Sequence, residues 1–287
     1  MKYTLALIAS LLLPPMMALH AADLSKAPGG LPPPAPAGFV WQAIPELSDE
    51  FNTTTLDLTK WQPKHPYWNG REPSAFDPTN VSVKDGMLQL RSTAKVDSLD
   101  GVKNPNKDIW VGSACVTSLT PLASYGYYAA CMKASKLSMT SSFWFQGKYS
   151  EIDVVEQLGD SIKNPKHNTL MMSNTHYYPD GWKTDKGSPR ECKMTTGSAD
   201  AFHVYGVWWK DENTIWTYLD GQKVAELKPA GPFKEPQYMF FDTEVFIWDG
   251  NPAIESLKDN SRNTVLVDWV RGWKLVKDPK APSISTH

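Results

Sequence analysis

Three carboxylic acids fall within six residues of one another in the segment Ser150-Glu151-Ile152-Asp153-Val154-Val155-Glu156. The apolar residues between them are β-branched, which fits a strand better than a helix. No Lys or Arg lies among the acids to offset their charge. On a regular strand, side chains two apart share a face, so Glu151 and Asp153 point one way and Glu156 the other. One extra residue at Val154-Val155, a β-bulge, would return Glu156 to the face of its partners. The competing reading is a solvated edge strand whose acids discourage pairing with another chain.

Three acids on one face suit cleavage of a glycosidic bond with retention of configuration. That chemistry requires one carboxylate as nucleophile and one as acid/base, about 5 to 5.5 Å apart. A third acid between them can tune the nucleophile by hydrogen bonding. On a flat strand the outer pair would lie roughly 13 to 16 Å apart at Cα, at about 3.3 Å per residue. The sheet must therefore curve for the carboxyl groups to converge.

The elements that must hold these acids read as strand after strand. Residues 81–84 and 87–91 alternate around an Asp85-Gly86 hairpin signal. Residues 110–118, 126–133 and 142–145 follow, then 203–209 and 214–219. An Asp220-Gly221 turn leads into residues 223–225, and 237–243 and 265–275 complete the set. Long amphipathic helical periods are scarce. The pattern predicts an all-β fold, an antiparallel sandwich.

The N-terminus reads as a signal peptide over residues 1–22: Lys2, an apolar run from Leu5 to Leu13, then small residues up to Ala22. The run is too short for a membrane span, and no Cys follows it for lipid attachment, so a secreted or periplasmic protein is expected. Residues 23–38 form a Pro/Gly/Ala-rich linker, expected to be extended and unable to pack a core. The folded domain is expected over 39–287. Twenty-nine Lys and Arg against 31 Asp and Glu give a net charge of −2. That balance provides no strong field for nucleic acid or a membrane surface, and a monomer is expected. Most of the twelve Trp must serve core packing, with some left to line a groove and stack on flat ligand faces. Cys115, Cys131 and Cys192 match neither a zinc site nor a CxxC motif. Two readings stay open: a disulfide, with Cys115 facing Cys131 across a hairpin, or three buried thiols.

The run Ser141-Ser142-Phe143-Trp144, followed by the acids Glu151 to Glu156, resembles glycoside hydrolase family 16 in its bulged version. Further segments are similar to the β-agarase and β-porphyranase branch over residues 40–275. They are Trp68-Asn69-Gly70-Arg71-Glu72-Pro73, Asn80-Val81, Tyr125-Gly126-Tyr127-Tyr128, Lys133-Ala134-Ser135, Asn174-Thr175-His176, Gly206-Val207-Trp208-Trp209 and Asp242-Thr243-Glu244.

The resemblance implies a β jelly roll of two curved antiparallel sheets with a substrate cleft on the concave face. It implies Glu151 as nucleophile, Asp153 as its hydrogen-bonding helper and Glu156 as acid/base, with no cofactor in the chemistry. Trp68, Arg71, Trp144, Asn174, His176 and Glu244 become expected substrate contacts. A structural calcium on the convex face would draw on Asp268 and on backbone oxygens near Glu50 and Gly86. The expected activity is endo-cleavage of β-1,4-galactosidic bonds in agarose, a red-algal galactan. A β-porphyranase acting on sulfated agar is the nearest rival, with extra cations near the cleft, Lys148 among the candidates, favouring it. A laminarinase or κ-carrageenase shares the scaffold, and a secreted carbohydrate-binding lectin is the non-enzymatic alternative.

Overall fold

The computed structural model describes residues 30–280. The strands in chain order are β1 (Phe39–Ala43), β2 (Trp61–Gln62), β3 (Ser74–Phe76), β4 (Val81–Lys84), β5 (Met87–Arg91), β6 (Thr93–Ala94) and β7 (Val111–Ser113). Next come β8 (Cys115–Ser118), β9 (Gly126–Lys133), β10 (Thr140–Gln146), β11 (Ser150–Leu158), β12 (Leu170–Tyr177), β13 (Lys186–Gly187) and β14 (Arg190–Lys193). The last are β15 (His203–Asp211), β16 (Thr214–Leu219), β17 (Gln222–Leu227), β18 (Tyr238–Asp242) and β19 (Thr264–Lys277), with the short helix α1 (Ile254–Lys258) before β19.

Two antiparallel sheets face each other. One runs β17-β16-β15-β9-β19-β5-β4, with β1 added to β19. The other runs β13-β12-β11-β10-β18-β8-β2, with β14 beside β12. Between them lies the main core. Phe143, Phe145, Ile152, Met239 and Phe241 of the second sheet meet Leu88, Leu90, Ala130, Val207 and Val267 of the first. Alternation along each strand sends every second side chain into this layer, which is the two-layer arrangement of a jelly-roll sandwich.

The hairpin signals behave as their composition requires. Asp85 and Gly86 both have positive φ (56° and 74°), and Asp220 and Gly221 do too (48° and 80°). That pair of left-handed residues matches the twist of the flanking strands. Among the described residues, no helix is long and apolar enough to cross a membrane.

Several expectations need adjusting. The stretch 110–118 is not one strand: it divides at Ala114 into β7, in a small third sheet with β3 and β6, and β8, in the second large sheet. Thr243 clamps the crossover, its hydroxyl accepting from Ala114 N and its own N–H donating to Ala114 O. The strand β12 was unread, because its inward positions alternate Met171, Ser173 and Thr175, a mixed set with no clean apolar period. Cys115 and Cys131 do not face each other across a hairpin; they belong to opposite sheets, on β8 and β9. All three cysteines are free, Cys192 only half-buried.

The expected signal peptide, residues 1–22, and residues 23–29 of the linker lie outside the described residues. The rest of the linker does not stand free. Trp41 Nε1 donates to Pro33 O at 2.7 Å and Arg271 Nη1 to Gly30 O at 3.1 Å. A proline run has no N–H groups to use up its carbonyls, which stay open as acceptors.

Candidate active site

The bulge falls where parity requires it. Phe143 of β10 pairs with Val155 and Trp144 pairs with Asp153, so Val154 is the extra residue. Ile152, Val154 and Val155 all enter the core fully buried. Burying each valine is worth about 1.5 to 3 kcal/mol, so the apolar face enforces the irregularity. As a result Glu151, Asp153 and Glu156 all line one cleft of about 900 Å³ on the outer face of the second sheet.

Cross-strand register arranges the cleft floor in rows. The first row is His176, Glu151, Gln146 and Tyr238. The second is Asn174, Asp153, Trp144 and Phe240, and the third is Glu156, Ser142 and Asp242. Trp144 stacks on Phe240 at 4.3 Å between ring centroids, and His65 lies against both rings, 4.7 Å from Phe240 and 5.9 Å from Trp144.

The walls come from loops. One is the 65–72 loop, bearing Tyr67, Trp68 and Arg71; the others carry Trp182 and the run Phe246-Ile247-Trp248. Gly70 makes the first wall possible. Its φ is +104°, and a Cβ there would meet Phe76 N at 3.1 Å, so the loop folds against β3 only with glycine. The turn delivers Arg71, whose Nε donates to Glu244 Oε2 at 2.5 Å, while its guanidinium lies 5.8 Å from the Trp68 ring and 5.1 Å from Phe246.

The two outer acids sit in different surroundings. Burial pushes the Glu151 carboxyl well above the usual range and Asp153 adds to the push, while His176 and Gln146 pull it back. Gln146 Nε2 donates to Glu151 Oε2 at 2.6 Å. Glu156 is also driven up, by burial and then by Asp153 and Glu244, but it accepts no hydrogen bond from the described residues. Two acids with environments this different divide the roles of charged and protonated group.

His176 joins the cluster from β12. Its Nε2 lies 3.3 Å from Asp153 Oδ2 and 4.0 Å from Glu151 Oε1, and its Nδ1 lies 2.7 Å from Asp185 Oδ2. Burial works against its charge, yet the three carboxylates outweigh burial and push its pKa up to about 10. Asn174 opposes this. Its Oδ1 is held by the N–H groups of Thr175 and Ser188, which turns Nδ2 toward His176 Nε2 at 2.9 Å. That contact favours a neutral ring, but one neutral hydrogen bond contributes only about 1 kcal/mol. The imidazolium prevails.

All nine acids and contact residues read from the sequence therefore meet in one cleft: Glu151, Asp153, Glu156, Trp68, Arg71, Trp144, Asn174, His176 and Glu244. His65, Tyr67, Gln146, Trp182, Asp242, Phe246 and Trp248 line it as well and were missed. Gln146 and Asp242 had a signal: Gln146 follows Trp144 by two on β10, and Asp242 precedes Glu244 by two at the end of β18. Asp242 is a buried carboxyl held well above the usual range by burial, then by Glu244 and Glu156.

The residues named for calcium lie on the other sheet. Val267 pairs with Leu88 and Asp49 bridges Val270, so register brings the Gly86 turn and the Asp49-Glu50 segment alongside the stretch of β19 that holds Asp268. The Glu50 carboxylate is engaged by Arg271 through both oxygens, at 2.7 and 2.9 Å.

The domain model described as "beta-porphyranase A-D, GH16 domain" matches residues 41–275. The chain is 40% identical to β-porphyranase E of Zobellia galactanivorans over 260 residues, 84% of this chain and 90% of that protein. It is 29% identical over 300 residues to an extracellular agarase of Streptomyces coelicolor, covering 91% of this chain and 93% of that one. The crystal structure of a β-porphyranase from the human gut bacterium Bacteroides plebeius aligns with a TM-score of 0.75 and 34% identity, covering 85% of this chain and 95% of that one. With the fold, the bulged acid strand and these likenesses agreeing, the chain belongs to glycoside hydrolase family 16, in its porphyranase and agarase group, and is a glycoside hydrolase.

Proposed function

We propose that this protein is a secreted, endo-acting, retaining hydrolase of β-1,4-galactosidic bonds in a porphyran-type, sulfated agar. The observation that carries the mechanism is the bulge at Val154, which turns Glu151, Asp153 and Glu156 to one side of the strand. Glu151, with an amide donor on one oxygen, is the nucleophile. Glu156, crowded by Asp153 and Glu244 and lacking a donor, carries the proton.

The reaction runs in two displacements. Glu151 attacks the anomeric carbon while Glu156 gives its proton to the leaving glycosidic oxygen. Glu156 then takes a proton from water, which displaces Glu151 and restores both acids. Asp153 and His176 flank the nucleophile, and no cofactor takes part. Trp68 and Trp144 offer ring faces to sugars, with Arg71, Asn174, His176 and Glu244 as polar contacts.

The choice of sulfated agar over agarose rests on the family model and on the 40% identical relative being β-porphyranases. It also draws on Lys148, exposed in an adjoining pocket that shares Tyr67, Gln146 and Trp182 with the cleft and suited to a sulfate ester. Arg71 is less suited, being spent on Glu244. Agarose is the second reading, favoured by the likeness to an agarase. Export, a monomeric state and a structural calcium held by Asp268 with backbone oxygens near Glu50 and Gly86 complete the proposal.

Reducing-end release from porphyran, agarose, κ-carrageenan and laminarin, assayed side by side, tests it. Porphyran is expected to be cut fastest. Release from laminarin alone would overturn the galactan reading, and binding without release from any of them would leave a lectin.

A further inference from the structure

We infer that Gln146 and Tyr67 form a positioning relay for the nucleophile, in which the Tyr67 hydroxyl locks the Gln146 amide and the amide holds one oxygen of Glu151. The inference rests on reading Glu151 as the nucleophile.

Two hydrogen bonds carry it. Gln146 Nε2 donates to Glu151 Oε2 at 2.6 Å, and the Tyr67 hydroxyl donates to Gln146 Oε1 at 3.1 Å. An amide is nearly symmetric in shape but opposite in polarity at its two ends. Flipped, Gln146 would set a carbonyl oxygen against a carboxylate. The Tyr67 hydroxyl prevents that by taking the carbonyl end, and as a phenol it keeps its proton below about pH 10.

Both partners are held in place. Gln146 is directly opposite Glu151 in the β10–β11 ladder and is nearly inaccessible. Tyr67 packs edge-on against His65, with ring centroids 4.7 Å apart. With Oε2 tied, Oε1 is left on the side of His176, 4.0 Å away. The relay therefore selects which oxygen attacks. It also joins the loop bearing Trp68 and Arg71 to the reacting strand, so wall and nucleophile are set together.

Several charged or titratable groups surround Glu151: Asp153 and Glu156 on its own strand, His176 on β12, Tyr178 just beyond it and Tyr67 from the loop. Beside them, Gln146 is the neutral donor that favours the ionised carboxylate. Removing it raises the pH at which the nucleophile becomes charged.

The test compares Gln146→Met and Tyr67→Phe with the parent enzyme across pH, on whichever galactan the parent cuts. Gln146→Met is expected to move the acidic limb of kcat/KM upward by about one pH unit, since a hydrogen bond to a charged group is lost. On that limb its kcat/KM should fall about tenfold at a given pH, one such unit being a factor of ten, with the plateau above the limb little changed. Tyr67→Phe should move the limb the same way by less. An unmoved limb in both variants overturns the inference. Should Gln146→Met melt early, Tyr67→Phe decides alone, its side chain being 62% exposed. Glu151→Gln separates the two readings. If it stays active, the nucleophile assignment falls. If it is dead and the limb does not move, only the relay falls.

Discussion

Arg71 and Glu244, 173 residues apart in sequence, meet at 2.5 Å and tie a loop wall to the end of the cleft floor. Thr140 anchors the acid from behind, its hydroxyl accepting from Glu244 N at 2.8 Å. Lysine in place of Arg71 would keep a charge but lose the planar fork and its stacking between Trp68 and Phe246. Arg71→Lys is expected to raise KM about tenfold, a loss of about 1.4 kcal/mol, with a smaller effect on kcat. Steady-state kinetics with an unchanged KM would remove Arg71 from the substrate wall.

Glu151→Gln and Glu156→Gln are each expected to lower kcat by about 10² to 10⁴ or more, without lowering the melting temperature. Both side chains keep their volume, and in Glu151→Gln the loss of a charge crowded by Asp153 relieves repulsion. Near-parental turnover in either variant would undo the assignment. Proton NMR of the first-formed product should show the anomeric configuration retained; an inverted product would exclude double displacement.

The ring of His176 makes stability depend on pH. Its folded pKa is raised to about 10, above an unfolded value near 6.5. The charged ring therefore stabilises the fold fully below about pH 6.5, and the contribution drains away as pH rises toward 10. The gap in melting temperature between the parent and His176→Gln should narrow across that window. A gap independent of pH would mean the ring is neutral, as the Asn174 amide alone would have it.

Trp144→Ala should cost both binding and stability. The side chain lines the cleft, yet it is only 6% exposed and stacks on Phe240. Truncating a buried aromatic costs about 3 to 5 kcal/mol. Denaturant unfolding and oligosaccharide titration should both register the change; a loss confined to binding would mean that the ring contributes little to packing.

The acid strand was legible because parity is a local property: three apolar positions must face the core, and only an extra residue satisfies both faces. Trp68, Arg71 and Glu244 were legible as motifs but not as a unit, since nothing local says that Arg71 finds Glu244. His65 and Tyr67 escaped for the same reason. Their roles depend on a loop returning over β10, a contact made across 79 residues between Tyr67 and Gln146. The docking of residues 30–38 was hidden because composition predicts the absence of a core, and backbone carbonyls can bind without one.

The bulge carries a last consequence, one for the gene. Losing the single codon for Val154 would leave Glu156 two positions after Asp153, on the same face, with Ser142 still opposite it. Such a deletion changes strand length without changing which face is acidic. Losing the codon for Ile152 instead would make Glu151 and Asp153 adjacent and turn them to opposite faces. The first deletion is expected to yield a folded protein, weaker by about 1.5 to 3 kcal/mol for one lost valine, with measurable hydrolysis; the second should be inactive. If both behave alike in melting and turnover, the extra residue is doing more than correcting parity. If they differ as expected, bulged and straight acid strands are one mutational step apart, and lineages can cross between them without losing the active site.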